Sequence, residues 1–195
     1  MLTARIAFAE TTLVQTAQIA QRTEPNVFQF GIAIAGKFAL SSPFCRSGTT
    51  CVLGSGGGIA ARFGHVFRER WYIGGGYDFS KHDASLLYRL GILQQVRADG
   101  RYQYPLGKAW FLVPFSSLGV SGYGNEWTID TWGPSLTVGT AVEAHVANSV
   151  VGVGFSWQGI YLQRLANPGQ PGEFFSAGFP QFFSLELRLE STERF

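Results

Sequence analysis

The chain has 195 residues, with 25 Gly, 17 Phe, 7 Tyr and 5 Trp but only 15 Lys+Arg and 13 Asp+Glu. That is one domain's length, and its charged fraction of 14%, against about 25% in ordinary soluble domains, argues against a disordered segment and against a water-facing enzyme. No stretch approaches the ~20 consecutive apolar residues of a membrane helix, and a net charge of +2 with scattered basic residues offers no stripe for nucleic acid.

Residues 1–26 differ from the rest, being Ala- and Thr-rich and ending at Pro25-Asn26. Arg5 is the only early basic residue and Glu10 interrupts the apolar stretch, so this is not a secretory signal. It reads as a short periplasmic extension, either mobile or forming an amphipathic helix over Ala4 to Gln21, at the start of a mature or excised chain.

From residue 27 to 195 apolar residues recur with period two, in segments separated by turn signals, which predicts β-strands. In the first, Phe28, Phe30, Ile32 and Ile34 share one face, with Gln29, Gly31, Ala33, Ala35 and Lys37 on the other. Cys45 and Cys51 follow in a loop. Six positions apart and without a nearby histidine, they suit a disulfide staple in an oxidising compartment, with two reduced thiols as the alternative, and they are a poor metal site.

The second strand runs from about Leu53 to Val66 with Arg62 on its polar face. The third sets Trp71, Ile73, Tyr77 and Phe79 against Tyr72, Asp78 and Ser80, ending in a turn at His82-Asp83. A fourth is predicted where Leu86, Tyr88, Leu90 and Ile92 alternate with Arg89 and Gln95, closing at a turn over Ala98-Asp99-Gly100-Arg101. The fifth, Ala109 to Ser121, changes parity between Phe115 and Leu118, which calls for a bulge near Ser116-Ser117. Pro114, which has no N–H to donate, also needs a tolerated position within it.

After a loop over Gly122 to Trp132, Leu136, Val138, Thr140 and Val142 oppose Glu143 and His145. Beyond Ala147-Asn148, Val151, Val153, Phe155, Trp157 and Tyr161 alternate with small or polar residues. A long loop over 163–178 leads to Leu185, Leu187 and Leu189 opposite Glu186, Arg188 and Glu190.

Eight antiparallel strands, apolar on one side, fit a closed all-β transmembrane barrel, because an open sheet edge would leave backbone groups unpaired in lipid. The reverse faces collect Lys37, Arg62, Asp78, Arg89, Glu143, His145, Glu186, Arg188 and Glu190, charges that could pair in a narrow lumen and would be costly against hydrocarbon. Trp71, Tyr77, Trp110, Trp132, Trp157 and Tyr161 are candidates for the interfacial girdles. A soluble β-barrel or β-sandwich is the alternative, but it should carry a wetter outer face.

The repeated alternation of Trp71 to Phe79 and the ending Ser184 to Phe195 resemble the small eight-stranded outer-membrane proteins of Gram-negative bacteria, the OmpA/OmpX-like group. The resemblance implies an outer-membrane location with both chain ends periplasmic, contact with membrane lipid and lipopolysaccharide, and an assembly signal made by Leu185, Leu187, Leu189 and Phe195. Ser191 and Glu193 depart from a fully apolar version of that signal.

Three functions follow as expectations. The first is a noncatalytic surface-interaction barrel with a filled lumen, displaying loops to a surface or periplasmic partner. The second is a small pore along the charged face. The third is a lipid-modifying enzyme, for which His82 with Ser80 or Ser85 is the only suggestive grouping and no nucleophile signature is present. No cofactor or metal motif appears, since Gly54 to Gly58 lacks the Lys-Ser/Thr and helix of a phosphate loop.

Overall fold

A computed structural model describes residues 27–41, 53–68, 70–84, 89–166, 174–175 and 178–194. The predicted extension 1–26, the Cys45 and Cys51 staple, and Phe195 lie outside the described residues.

Eight long strands form the fold: β1 Val27–Ser41, β2 Gly56–Phe67, β3 Trp71–His82, β4 Gly91–Tyr102, β5 Trp110–Asn125, β6 Thr131–Val146, β7 Ser149–Ile160 and β8 Gln181–Arg194. Each pairs antiparallel with its sequence neighbours, and β1 pairs with β8 from Val27↔Arg194 to Ser41↔Gln181, closing the sheet into a barrel. Tyr104–Pro105 adds a short pairing to β5, and Leu165–Ala166 pairs with Phe174–Phe175. Closure leaves the backbone bonds of the long strands satisfied around the ring, as a lipid-facing sheet requires.

Alternation sorts the side chains. Phe30, Ile32, Ile34, Ile59, Phe63, Ile73, Val96, Leu118, Val153, Phe155, Leu185, Leu187 and Leu189 stand exposed on the outer wall. Each would cost about 1.5–3 kcal/mol in water relative to an apolar surrounding, so the wall is built for hydrocarbon. Trp71, Phe67, Tyr104 and Trp110 ring the end where Val27 pairs with Arg194, while Trp127, Trp132 and Tyr161 stand exposed toward the other. Trp157, half-buried, donates its indole N–H to Gln181 Oε1 at 3.1 Å in that second ring. Tyr77 belongs to neither ring. It sits mid-strand beside Ala61 and Val96, its hydroxyl bonded to Gln94 Oε1 at 2.8 Å.

Two strands differ from the sequence expectation. β4 keeps the expected parity but extends through the predicted turn, so Arg97, Asp99 and Arg101 point inward while Ala98 and Gly100 face out. The local Ala-Asp-Gly-Arg string has turn chemistry, and only the barrel interior supplies the partners that let it remain a strand. Arg89 falls outside the lumen because β4 starts only at Gly91; its side chain is 85% exposed and 3.6 Å from Glu126.

β5 contains no bulge. Its register with β6 is unbroken from Trp110↔Ala144 to Tyr123↔Thr131. Phe111, Val113 and Phe115 face the interior, and Leu112, Pro114, Ser116, Leu118 and Val120 face out. The predicted 122–132 loop shrinks to 126–130. Its glycines serve close approach: a Cβ on Gly124 would collide with the carbonyl of Thr128.

Candidate functional site

The interior divides into three layers. The middle layer is ionic. Five buried cations, Lys37, Arg62, Arg97, Arg101 and Arg188, face five buried anions, Asp78, Asp99, Glu143, Glu186 and Glu190. Lys37 Nζ lies 2.7 Å from Asp78 Oδ1, and Arg97 Nε lies 3.1 Å from Asp99 Oδ1. Arg101 Nη1 donates to both oxygens of Glu190 at 2.9 and 3.0 Å. Arg62 and Arg188 both hold Glu186, and Arg188 Nη1 also reaches Glu143 Oε1 at 3.0 Å.

Small residues on neighbouring strands make room for these acids. A Cβ on Gly154 would meet Glu186 Oε1 at 2.9 Å, and one on Gly152 would meet Glu143 Cγ at 2.7 Å. Aromatic faces complete the packing: the guanidinium of Arg101 lies 4.2 Å from the centre of the Tyr72 ring, and that of Arg188 lies 4.2 Å from Phe115. Equal numbers of opposite charges, each within reach of a partner, make this layer a plug without net charge among the described residues. A buried network of this kind is costly to break because removing one member strands the others.

The layer toward the end remote from the chain termini begins with amides, Gln158 Nε2 donating to Gln95 Oε1 and Gln95 Nε2 to Ser135 Oγ, both at 2.7 Å. Beyond them Leu53, Ala84, Leu93, Tyr123, Ile160, Leu162 and Phe182 form a buried apolar cluster that fills the mouth. His82, expected in a turn, is the last residue of β3 and is buried under this cluster, edge-on to Phe182 at 5.1 Å. Its Nδ1 donates to the Gly54 carbonyl at 2.8 Å, and Nε2 lies 3.1 Å from Ser80 Oγ. The Ser80 and His82 pair has the contact of a nucleophile and its base, yet both are dry-buried and Ser80 also takes a bond from Lys37 Nζ at 3.2 Å. In this arrangement the pair lies packed beneath the apolar cluster.

The third layer is the mouth beside Val27 and Arg194, a cleft of about 370 Å³ open to the outside and lined in part by Gln29, Gln103 and His145. His145 stacks on Phe111 at 4.4 Å between ring centres, with Nε2 4.0 Å from Glu143 Oε2.

Of the residues expected in an ionic lumen, Lys37, Arg62, Asp78, Glu143, Glu186, Arg188 and Glu190 meet there, His145 sits at its rim, and Arg89 is absent from it. Arg97, Asp99 and Arg101 were missed. Extending the period-two count of β4 past Gln95 finds all three on the inward parity. Leu185, Leu187 and Leu189 face outward.

No family model matches the chain, and no curated protein matches it in sequence. Solved structures do match it in fold. Neisserial surface protein A (NspA) is 14% identical over 85% of this chain and 96% of that one, with a TM-score of 0.57. A major outer membrane protein from Thermus thermophilus is 13% identical over 85% of this chain and 99% of that one, with a TM-score of 0.51. With its closed strand order and apolar wall, the chain has the fold of the small eight-stranded outer-membrane barrels.

Proposed function

We propose that this chain is a noncatalytic outer-membrane scaffold whose connections between β1 and β2, β3 and β4, β5 and β6, and β7 and β8 serve interaction with a partner at the cell surface. The observation that carries the reading is the double closure of the lumen, an apolar plug at one mouth above a charge-balanced ionic layer. An ion entering this interior would have to displace a buried partner from a paired charge, and a hydrated path would have to cross the dry cluster.

The connections at the plugged end are the longer set. Those at the other end span only 68–70, 103–109 and 147–148. In this reading the termini are periplasmic, lipid and lipopolysaccharide contact the wall, and the outer-membrane assembly machinery reads the leucines of β8 together with the chain's end. The fold shared with a protein named as a surface protein supports the same placement.

Planar-bilayer recording tests the closure: the purified barrel should give no stepped current, and steps altered by Glu143→Gln would establish a pore instead. Proteolysis of intact cells tests the orientation, with cleavage expected in 163–178 and protection in 103–109.

A further inference from the structure

Along one side of the lumen, buried contacts run without a break from the plugged mouth to the open one. His82 Nδ1 donates to the Gly54 carbonyl, which leaves Nε2 to accept from Ser80 Oγ at 3.1 Å, and Ser80 Oγ in turn accepts from Lys37 Nζ at 3.2 Å. Lys37 holds Asp78, Arg97 lies between Asp78 and Asp99, and Arg101 lies between Asp99 and Glu190. Glu190 then accepts from the amide of Gln29, one of the residues lining the open cleft. Lys37 and Gln29 are eight residues apart on β1, about 27 Å of strand.

The rungs of this ladder are unequal. Arg97 Nε is 3.1 Å from Asp99 Oδ1 while its Nη1 is 4.0 Å from Asp78 Oδ2. Arg101 Nη1 is 2.9 Å from Glu190 Oε1 while its Nη2 is 3.9 Å from Asp99 Oδ2. Each arginine thus has a near acid on one side and a far acid on the other. Arg97 Nε, Asp99 Oδ1 and Arg101 Nη2 are buried without a hydrogen bond, so the middle rungs attract by charge but are not aligned. Unaligned buried donors are costly. A short shift of both guanidinium groups toward their far acids would give Arg101 Nη2 to Asp99 and Arg97 Nη1 to Asp78.

The top of the ladder has a choice of its own, because Ser80 Oγ lies 3.3 Å from the Leu93 carbonyl as well as within reach of His82. No hydrogen bond or ion pair between described residues joins this ladder to the second set, Arg62, Glu186, Arg188, Glu143 and His145.

We propose that the ladder is a two-state link through the barrel, in which the fastening of the β1–β2 connection at Gly54 selects the pairing of Asp99 and Glu190 near the other mouth. With Gly54 in place, His82 holds the Ser80 hydroxyl, Lys37 stays on Asp78, and both arginines keep their near acids. With Gly54 withdrawn, the hydroxyl turns to Leu93, Lys37 loosens, Arg97 takes Asp78, Arg101 takes Asp99, and Glu190 is left to Gln29. A barrel shut to ions thereby reports the state of a connection at one mouth to the opposite mouth. The inference goes beyond the scaffold reading and stands whether or not a partner engages those connections.

Unfolding cycles on the full chain refolded in lipid vesicles test it. His82→Phe keeps a ring against Phe182 but removes both imidazole bonds, and Gln29→Leu removes the far end. Sites this distant ordinarily add to within about twofold in the unfolding constant. The ladder should make these two losses non-additive by more than about fivefold, the lower end of ordinary coupling between sites. His82→Phe combined with His145→Phe, at the foot of the second set, should be additive, and in a Ser80→Ala background the coupling of His82 to Gln29 should vanish. Leu53→Ala, which alters no rung, supplies a second measurement in detergent micelles: the NMR signals of the Arg97 and Arg101 guanidinium groups and of the Gln29 side-chain amide should move, while those of Arg188 stay in place. The proposal is overturned if the His82 and Gln29 losses add within about twofold, if the His145 cycle is equally non-additive, if the coupling survives Ser80→Ala, or if Leu53→Ala leaves Arg101 and Gln29 unmoved.

Discussion

The guanidinium of Arg188 is fully buried over the ring of Phe115, 4.2 Å from its centre, and from that position it binds Glu143 and Glu186 at once. One side chain thus joins β8 to β5 through a ring face and to β6 through a carboxylate. The interior is held across the barrel as well as around it.

Arg188→Met should therefore destabilise the barrel by about 3–5 kcal/mol, because Glu143 loses its only strong cation and Glu186 keeps only Arg62. Adding Glu143→Gln removes the stranded charge, so the double variant should be more stable than Arg188→Met alone. Urea unfolding of the refolded protein in lipid vesicles measures both. Measuring Glu143→Gln alone completes the cycle, and a double variant whose loss equals the sum of the two single losses would show that the Arg188 to Glu143 bond carries no coupling.

Phe115 is also where sequence reasoning and structure part most usefully. Seven of the eight strands were legible in their facing because two solvents impose period two. For β5 the rule "apolar means outward" fails: Phe111, Val113 and Phe115 serve as interior surfaces for His145 and Arg188, and Ser116 takes the lipid side. In β4 the opposite confusion arises. Asp99 and Arg101 have the local chemistry of a turn, and their partners Arg97 and Glu190 lie on β4 and on β8, the latter far along the chain. The ionic core was legible wherever charges alternated with bulky apolar residues, and invisible where small Ala98 and Gly100 stood in the outward positions. The apolar plug gave no signal at all, since inward Leu93, Tyr123 and Phe182 look like misplaced wall residues until the closed mouth explains them.

The facing of β5 can be checked directly. A nitroxide on Ser116→Cys, with the native cysteines replaced by serine, should be relaxed strongly by oxygen dissolved in the bilayer, and one on Leu118→Cys should behave alike. A nitroxide on Ser117→Cys should be shielded from it. Strong relaxation at Phe115→Cys with shielding at 116 would restore the bulge and turn Phe111, Val113 and Phe115 outward.

The tight connection between β6 and β7 holds Ala147 at φ 53°, in the left-handed region where a Cβ is strained. Ala147→Gly should relieve this and raise stability by about 0.5–1 kcal/mol, offset in part by the greater freedom of glycine in the unfolded chain. Ala147→Val should lower it by more. Asn148, whose carbonyl accepts from Thr192 N at 2.8 Å, should keep that bond in both variants, so the effect ought to appear in the urea midpoint without a change in slope.

The plug depends on a short segment fastened to the end of β3. Gly54 N donates to the Asp83 carbonyl at 2.8 Å, Asp83 N to the Ser55 carbonyl at 2.9 Å, and His82 Nδ1 to the Gly54 carbonyl at 2.8 Å. Leu53, which these bonds hold in place, is completely buried in the apolar cluster. His82→Ala removes the side-chain fastening and the ring that packs against Phe182, so it combines a lost buried hydrogen bond with a cavity. The expected loss is about 2–4 kcal/mol, with faster amide exchange at Gly54 and Ser55 than in the body of β3. Loosening the mouth should still leave the barrel electrically silent, because the paired charges of the middle layer lie beneath it. Stepped currents in His82→Ala would mean that the apolar cluster alone keeps the lumen closed and that the ionic layer conducts once it is reached by water.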